Sequence, residues 1–266
     1  NTAETAFYGM LKGMEDYLNK IKIERIMSWG KDYDAEKLSE MINRRIRIEK
    51  IAIKDVKMRT FISEDAGRNE MVQHVYDITY GTVRPGQDTL VVIDDSIVRG
   101  TTLKESIIRM LARLKPKRIV VVSSSPQIRY PDCYGIDMSK MGDFIAFNAA
   151  VELMKERNKT ACLKELLDKC KDLQRNNQLH KENVVKQLYK QFTAEEISAK
   201  IAQLITPPGI DIPVDVIFQS IEDLHLSCPN NLGDWYFTGN YPTPGGNKVV
   251  NKAFMNYMEG KNVRGY

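Results

Sequence analysis

The sequence is poor in several features that would narrow its class. It has four cysteines and three histidines in 266 residues. Cys133, Cys162, Cys170 and Cys228 are widely separated, form no CxxC pair and have no histidine at metal-ligand spacing, so reduced thiols are expected. No apolar run approaches the ~20 residues of a bilayer span. The N-terminus lacks the basic and apolar regions of a secretory signal. Net charge is only +4, with the two signs interspersed, too weak and scattered for a nucleic-acid surface. Internal repeats and low-complexity tracts are also absent. A soluble, cytoplasmic protein with neither a nucleic-acid nor a membrane partner is expected.

What is present is the balance of a globular protein, 42% hydrophobic and 28% charged residues, enough apolar material for a sizeable core. Ala6, Phe7, Met10, Leu11, Met14, Leu18 and Ile21 recur at helical spacing behind Thr2, a candidate N-cap. The chain thus opens directly on a helix with no strand before it, and reads as an internal piece of something longer. Asp34 to Ile46 gives a second helix, and the alternation of IRIEKIAI (Ile46 to Ile53) gives a strand. Arg59 to Gly86 is punctuated as loop, with part of Asn69 to Ile78 expected to be helical.

TLVVI (Thr89 to Ile93) is a short continuous apolar run of the kind found in buried parallel strands. Thr102 and Glu105 suggest a capping box, and Leu103, Ile107, Ile108, Leu111 and Leu114 line one face of a helix stopping before Pro116. RIVVVSS (Arg118 to Ser124) follows as another strand. Strand, loop, helix and strand in this order make a βαβ unit with parallel strands, so the fold class is α/β. Further helices are expected at Met141 to Glu156, Thr160 to Leu173, Lys181 to Gln191 and Thr193 to Ile205, the last with a capping box to Glu196. Val214 to Phe218 reads as a strand, Ser220 as the cap of a short helix, and Asn247 as the cap of a final one.

In open parallel sheets ligands bind beyond the carboxyl ends of the strands, where Asp94 to Thr102 fall. The residue types there are two adjacent carboxylates, a small polar run containing Gly100, and a helix start with paired threonines. A helix N-terminus exposes unpaired N–H groups and partial positive charge, an anion site. Gly100 permits close approach or positive φ, and the hydroxyls of Ser96, Thr101 and Thr102 can donate to phosphate oxygens. Asp94 and Asp95 would repel a phosphate, so they suit a hydroxyl-bearing or cationic part of the ligand, such as a ribose diol with Mg²⁺. Taken alone, two carboxylates ending a strand and threonines capping a helix account for these residues equally well.

The full string decides between these. DDSIVRGTT (Asp94 to Thr102) resembles the phosphoribosyl pyrophosphate (PRPP) loop of type I phosphoribosyltransferases, and its SIVRG interior resembles the amidophosphoribosyltransferase version. RTFI (Arg59 to Ile62) is similar to the start of that family's flexible catalytic loop, SSSPQIRYPDCYGIDM (Ser123 to Met138) to its segment after the next strand, and NTAETA to its pyrophosphate-contacting turn. VDVIFQSIEDL and FTGNYPT resemble its C-terminal portion. About two thirds of the chain is covered.

The resemblance implies a type I phosphoribosyltransferase-like parallel sheet flanked by helices, with a mainly helical C-terminal extension. Residues 1–150 would be the transferase core, lacking its first strand, 151–212 a helical insertion, and 213–266 a C-terminal segment packing back on the core. It implies that Asp94 and Asp95 hold the ribose hydroxyls and Mg²⁺ and act catalytically with Arg59. Ser96, Ile97, Val98, Arg99, Gly100, Thr101 and Thr102 would cradle the 5′-phosphate, with Thr2 and Arg59 at the pyrophosphate. The implied reaction makes 5-phosphoribosylamine from PRPP and glutamine-derived ammonia in purine synthesis. Implied partners are a glutaminase domain N-terminal to this chain, purine nucleotides competing for the PRPP site, and further copies in a homo-oligomer.

The chain departs from the family pattern in places. Ala3 stands where the family's turn has a hydroxyl, and Ser63 to Asp77 is acidic where the family's loop is basic. These favour a second reading, a non-catalytic PRPP or nucleotide sensor; a salvage transferase for a free base is a third. NLGDWYFTG has Trp235 and Tyr236 where some family members have cluster-binding thiolates, so no iron–sulfur cluster is expected.

Overall fold

The computed structural model describes residues 2–31, 33–49, 51–54, 76–78, 81–133, 138–230 and 233–265. Helix α1 runs from Thr2 to Ser28 and α2 from Ala35 to Asn43. Thr2 is thus the first helical residue. Asp34 caps α2, its carboxylate accepting the Lys37 N–H at 2.7 Å. The two helices are joined by a nearly buried lysine, Lys22, whose Nζ reaches the Ile42 carbonyl at 3.3 Å.

The alternating stretch from Ile46 forms less strand than its pattern predicts. Only β1, Ala52–Lys54, is a strand, paired antiparallel with β2, Tyr76–Ile78. The preceding residues are instead tied to the loop before the next strand, where Arg47 donates to Asp88 at 3.2 Å and to the Thr82 carbonyl. Tyr76 to Ile78 is therefore not helical, and Asn69 to Val75 lies outside the described residues.

The main sheet is parallel, in the order β3 (Thr89–Asp94), β4 (Arg118–Ser123), β5 (Val214–Phe218). Register sets Leu90 beside Ile119 and Val214, and Val92 beside Val121 and Val216. Alternation puts these six on one face, and Leu90, Ile119, Val121 and Val216 are buried there. The opposite face is less covered than a continuous apolar run predicts: Val91 is 46% exposed and Ile217 54%. Over that side α1 brings only Phe7, Leu11 and Met14 toward Val91 and Ile93, around a cavity of about 340 Å³.

Between β3 and β4 the chain forms a π-turn, Leu103–Ile107, running into α3, Ile108–Ala112. The Thr102 to Glu105 capping box does not form, because Thr102 already has helical φ and ψ (−60° and −40°) and its side chain caps nothing. Glu105 lies 3.8 Å from Arg109 instead.

The helical stretch after β4 opens with a 3₁₀ turn, Met141–Asp143, followed by α4 (Ile145–Glu156), α5 (Thr160–Arg175), the single turn α6 (Lys186–Tyr189) and α7 (Ala194–Ile205). The Lys181 to Gln191 helix shrinks to α6 because Asn183 and Val184 are committed to the C-terminal region: Asn183 donates to Gly239 O at 3.1 Å, and Val184 N–H donates to Asn251 at 3.0 Å. The Thr193 to Glu196 capping box forms in both directions.

After β5 come α8 (Ile221–Ser227), capped by Ser220, then α9 (Trp235–Thr238) and α10 (Pro244–Met258). Pro244 starts α10, as its fixed φ and missing N–H favour. Asn247 therefore sits inside the helix, where it donates to His180 O at 3.1 Å. One continuous core spans strands and helices, with Phe144, Phe147, Phe254, Ile108, Ile119, Ile197 and Ile205 all inaccessible. Phe147 meets Phe254 edge to face at 6.2 Å and Tyr257 at 4.8 Å. No described helix is long and apolar enough to cross a membrane.

Candidate functional site

β3 ends at Asp94, and its partner β4 ends beside it, Asp94 opposite Ser123. The two strand ends are stitched further by Ser124, whose N–H donates to the Asp94 carbonyl at 2.9 Å and whose hydroxyl donates to the Asp95 carbonyl at 3.2 Å. Asp94 and Asp95 are both partly buried. Burial, then the hydrogen bond and negative charge of the Asp95 carboxyl, push Asp94 up to about 6. The Asp95 carboxylate also accepts the Ser96 N–H at 2.9 Å.

Such a pair lacks positive charge. Its hard oxygens match Mg²⁺, which usually takes one or two carboxylates and completes its shell with water and substrate phosphates. Among the described residues no set of three or more acidic, cysteine or histidine ligands exists.

From Ser96 to Gly100 the chain is neither helix nor strand. Ile97, 3% exposed, anchors the loop in the core. Val98 turns its carbonyl to the Ile145 N–H at 2.7 Å. Arg99 points outward to Asp143 at 3.1 Å. Gly100 has φ +70°, and a Cβ there would stand 2.9 Å from Ile205 Cγ2. Both the conformation and the space demand glycine.

Helix begins immediately afterwards, at Thr101. The first return bond runs from Lys104 N–H to Gly100 O at 3.0 Å, so the amides of Thr101, Thr102 and Leu103 precede it and have no acceptor within the helix. The Thr101 and Thr102 side chains are exposed. The loop therefore presents consecutive free amides and two hydroxyls at a helix start, with two carboxylates on the strand before it. A phosphate at the amides and a polyol at the carboxylates can be held together.

The structure thus assembles Asp94 to Thr102 at one strand end. Thr2 is the first residue of α1, and Arg59 lies outside the described residues. A cavity of about 540 Å³ between β5 and α7 is lined by Gln127, Arg129 and Ser198 among others and by no residue of the loop. Chemistry rather than cavity size marks the loop. Residues that hold it from behind, Asp143, Ile145 and Ile205, carry no signal in the sequence, being 44 to 105 positions from their loop contacts at Arg99 and Gly100.

A strand end, a short loop and a helix start on a parallel sheet flanked by helices put Asp94 to Thr102 where ligands bind in open α/β folds. No family model matches the chain. Among curated proteins, it is similar to the amidophosphoribosyltransferase of Haemophilus influenzae, 43% identical over 67 residues, 25% of this chain and 13% of that protein. The amidophosphoribosyltransferase of Staphylococcus epidermidis is 37% identical over 97 residues, 36% of this chain and 19% of that one. The matched stretches thus span less than a fifth of either relative. A solved structure of glutamine PRPP amidotransferase from B. subtilis complexed with ADP and GMP aligns over 73% of this chain and 32% of that one, at 26% identity and a TM-score of 0.41. Over these partial stretches the resemblance of the chain to amidophosphoribosyltransferases stands.

Proposed function

We propose that this chain is the phosphoribosyltransferase portion of an amidophosphoribosyltransferase, forming 5-phosphoribosylamine from PRPP and ammonia at Asp94 to Thr102. The observation that carries this reading is the loop itself: free amides of Thr101, Thr102 and Leu103 at a helix start, reached through Gly100 at φ +70°, beside two aspartates ending a parallel strand. The amides and the hydroxyls of Ser96, Thr101 and Thr102 bind the 5′-phosphate. Asp94 and Asp95 accept from the ribose hydroxyls and would hold Mg²⁺, whose charge would offset that of the departing pyrophosphate.

The C1′–oxygen bond to pyrophosphate breaks as the C1′–nitrogen bond to ammonia forms, and the nitrogen then loses a proton. The sugar gains positive charge in between, and the fixed aspartates stabilise it. Thr2 and Arg59 are assigned to the pyrophosphate. In the complete protein a glutaminase domain N-terminal to this chain would supply the ammonia, and a cytoplasmic homo-oligomer is the expected form. Purine nucleotides share the 5′-phosphoribosyl group and should compete for the loop.

The test is release of pyrophosphate from PRPP by the full-length protein with Mg²⁺ and ammonium but no glutamine. Release that depends on ammonia supports the enzyme. PRPP binding without release replaces it with the sensor, and absence of PRPP binding removes both. Calorimetry with GMP adds a check, since an Asp95→Ala, Thr101→Ala variant should lose nucleotide binding.

A further inference from the structure

We infer that Ile205, at the end of α7 and outside the phosphate loop, is a positioning residue for that loop, so that the helical stretch after β4 acts as its back wall. The inference rests on the phosphate-cradle reading above. Three contacts converge on the loop from behind. The Val98 carbonyl accepts the Ile145 N–H at 2.7 Å, Arg99 pairs with Asp143 at 3.1 Å, and the α-carbon of Gly100 faces Ile205 and Ile145. A Cβ at Gly100 would lie 2.9 Å from Ile205 Cγ2 and 3.5 and 3.6 Å from the Ile145 side chain.

The ion pair is exposed and contributes little. The side-chain wall differs, because Ile205 is fully inaccessible and Ile145 nearly so. Gly100 is the joint between loop and helix, and a glycine without a wall samples many conformations. Each rotation at that joint turns the Thr101 and Thr102 amides away from a common focus. The branch methyl of Ile205 is the atom closest to the joint and is itself stiff at χ1. Fixing the joint therefore fixes the direction in which the free amides point, which is pre-organisation of an anion site by a residue that never touches the ligand.

Two substitutions separate this role from ordinary core packing. Ile205→Val keeps Cγ2 and loses the terminal methyl, whereas Ile205→Leu keeps the carbon count and loses the branch. Ile197→Leu, at an equally inaccessible position on the same helix, controls for general loosening of α7. In the full chain, Ile205→Leu should raise KM for PRPP about five- to ten-fold with kcat moved less than about two-fold, because binding rather than the bond-making step is weakened. Ile205→Val and Ile197→Leu should stay near wild type. Without any ligand, NMR order parameters of the Gly100 to Thr102 amides should fall in Ile205→Leu alone.

Equal effects of the Val and Leu substitutions, or unchanged order parameters at the loop in Ile205→Leu, overturn the positioning role. A wild-type chain that binds no PRPP removes the functional reading instead, and the order parameters still decide whether Ile205 holds the joint.

Discussion

At Gly100 one added methyl group should disrupt both stability and the phosphate site. The residue sits at φ +70°, where an L-side chain costs about 1–2 kcal/mol. Its new Cβ would lie 2.9 Å from Ile205 Cγ2, a branch methyl on an inaccessible side chain, and forcing such a group into a filled core costs about 1–3 kcal/mol. Stiffening of the unfolded chain by alanine adds to the cost only in the other direction, offsetting about 0.4–1 kcal/mol. Gly100→Ala should therefore lose about 2–4 kcal/mol, read from the urea midpoint of the full chain at unchanged slope. Calorimetry with PRPP should show weakened or lost binding, since the helix start must rotate or shift. The two contributions can be separated by repeating the change in an Ile205→Ala background. The steric part should vanish there and the φ part remain, giving a coupling of about 1–3 kcal/mol in the double-mutant cycle. A Gly100→Ala protein with wild-type midpoint and wild-type PRPP affinity would show that the joint is neither strained nor walled, and the site as drawn would fail.

The helical region offers independent checks. Asn251, fully inaccessible, donates to the Leu179 and Glu182 carbonyls and accepts the Val184 N–H. Asn251→Leu leaves three main-chain groups unpaired, two of them in buried bonds, and should cost about 3 kcal/mol or more, whereas a melting temperature near wild type would mean those groups find water. Glu196 is held below its ordinary value of 4.5 by the Thr193 N–H and by Arg157. Its contribution is therefore present above that value and disappears as pH falls through the lowered one. Glu196→Gln should flatten the acid side of the melting-temperature profile, and an unchanged slope would deny the capping box that role. Burial pushes the Cys170 thiol up to about 12, while Cys228 is exposed. A thiol reagent at mildly alkaline pH should label Cys228 in the native protein and Cys170 only after unfolding. Rapid native labelling of Cys170 would contradict the packing of α5.

Where the determinants are local, the sequence reads well. The apolar runs at Thr89, Arg118 and Val214 are the three strands of the main sheet among the described residues, because a short continuous apolar run has few other ways to be buried. The box at Thr193 forms since all its partners lie within four residues. The similar box at Thr102 fails because the chain enters helix one residue earlier through Gly100, and the π-turn that follows takes its place. Asn247 as a cap fails likewise, since Pro244 starts α10 upstream and His180 recruits the asparagine from a distant segment.

By itself the sequence marked Asp94 to Thr102 as the candidate cradle, since paired aspartates, the Ser-Ile-Val-Arg-Gly run and two threonines are contiguous groups. It could not determine how that run is held. The wall behind Gly100 comes from Ile145 and Ile205 and the tether of Arg99 from Asp143, and ordinary core or surface residues acquire that part only when α4 and α7 fold against the loop. The half-open face at Val91 and Ile217 was equally invisible, because apolar character along a strand does not say what, if anything, lies across it.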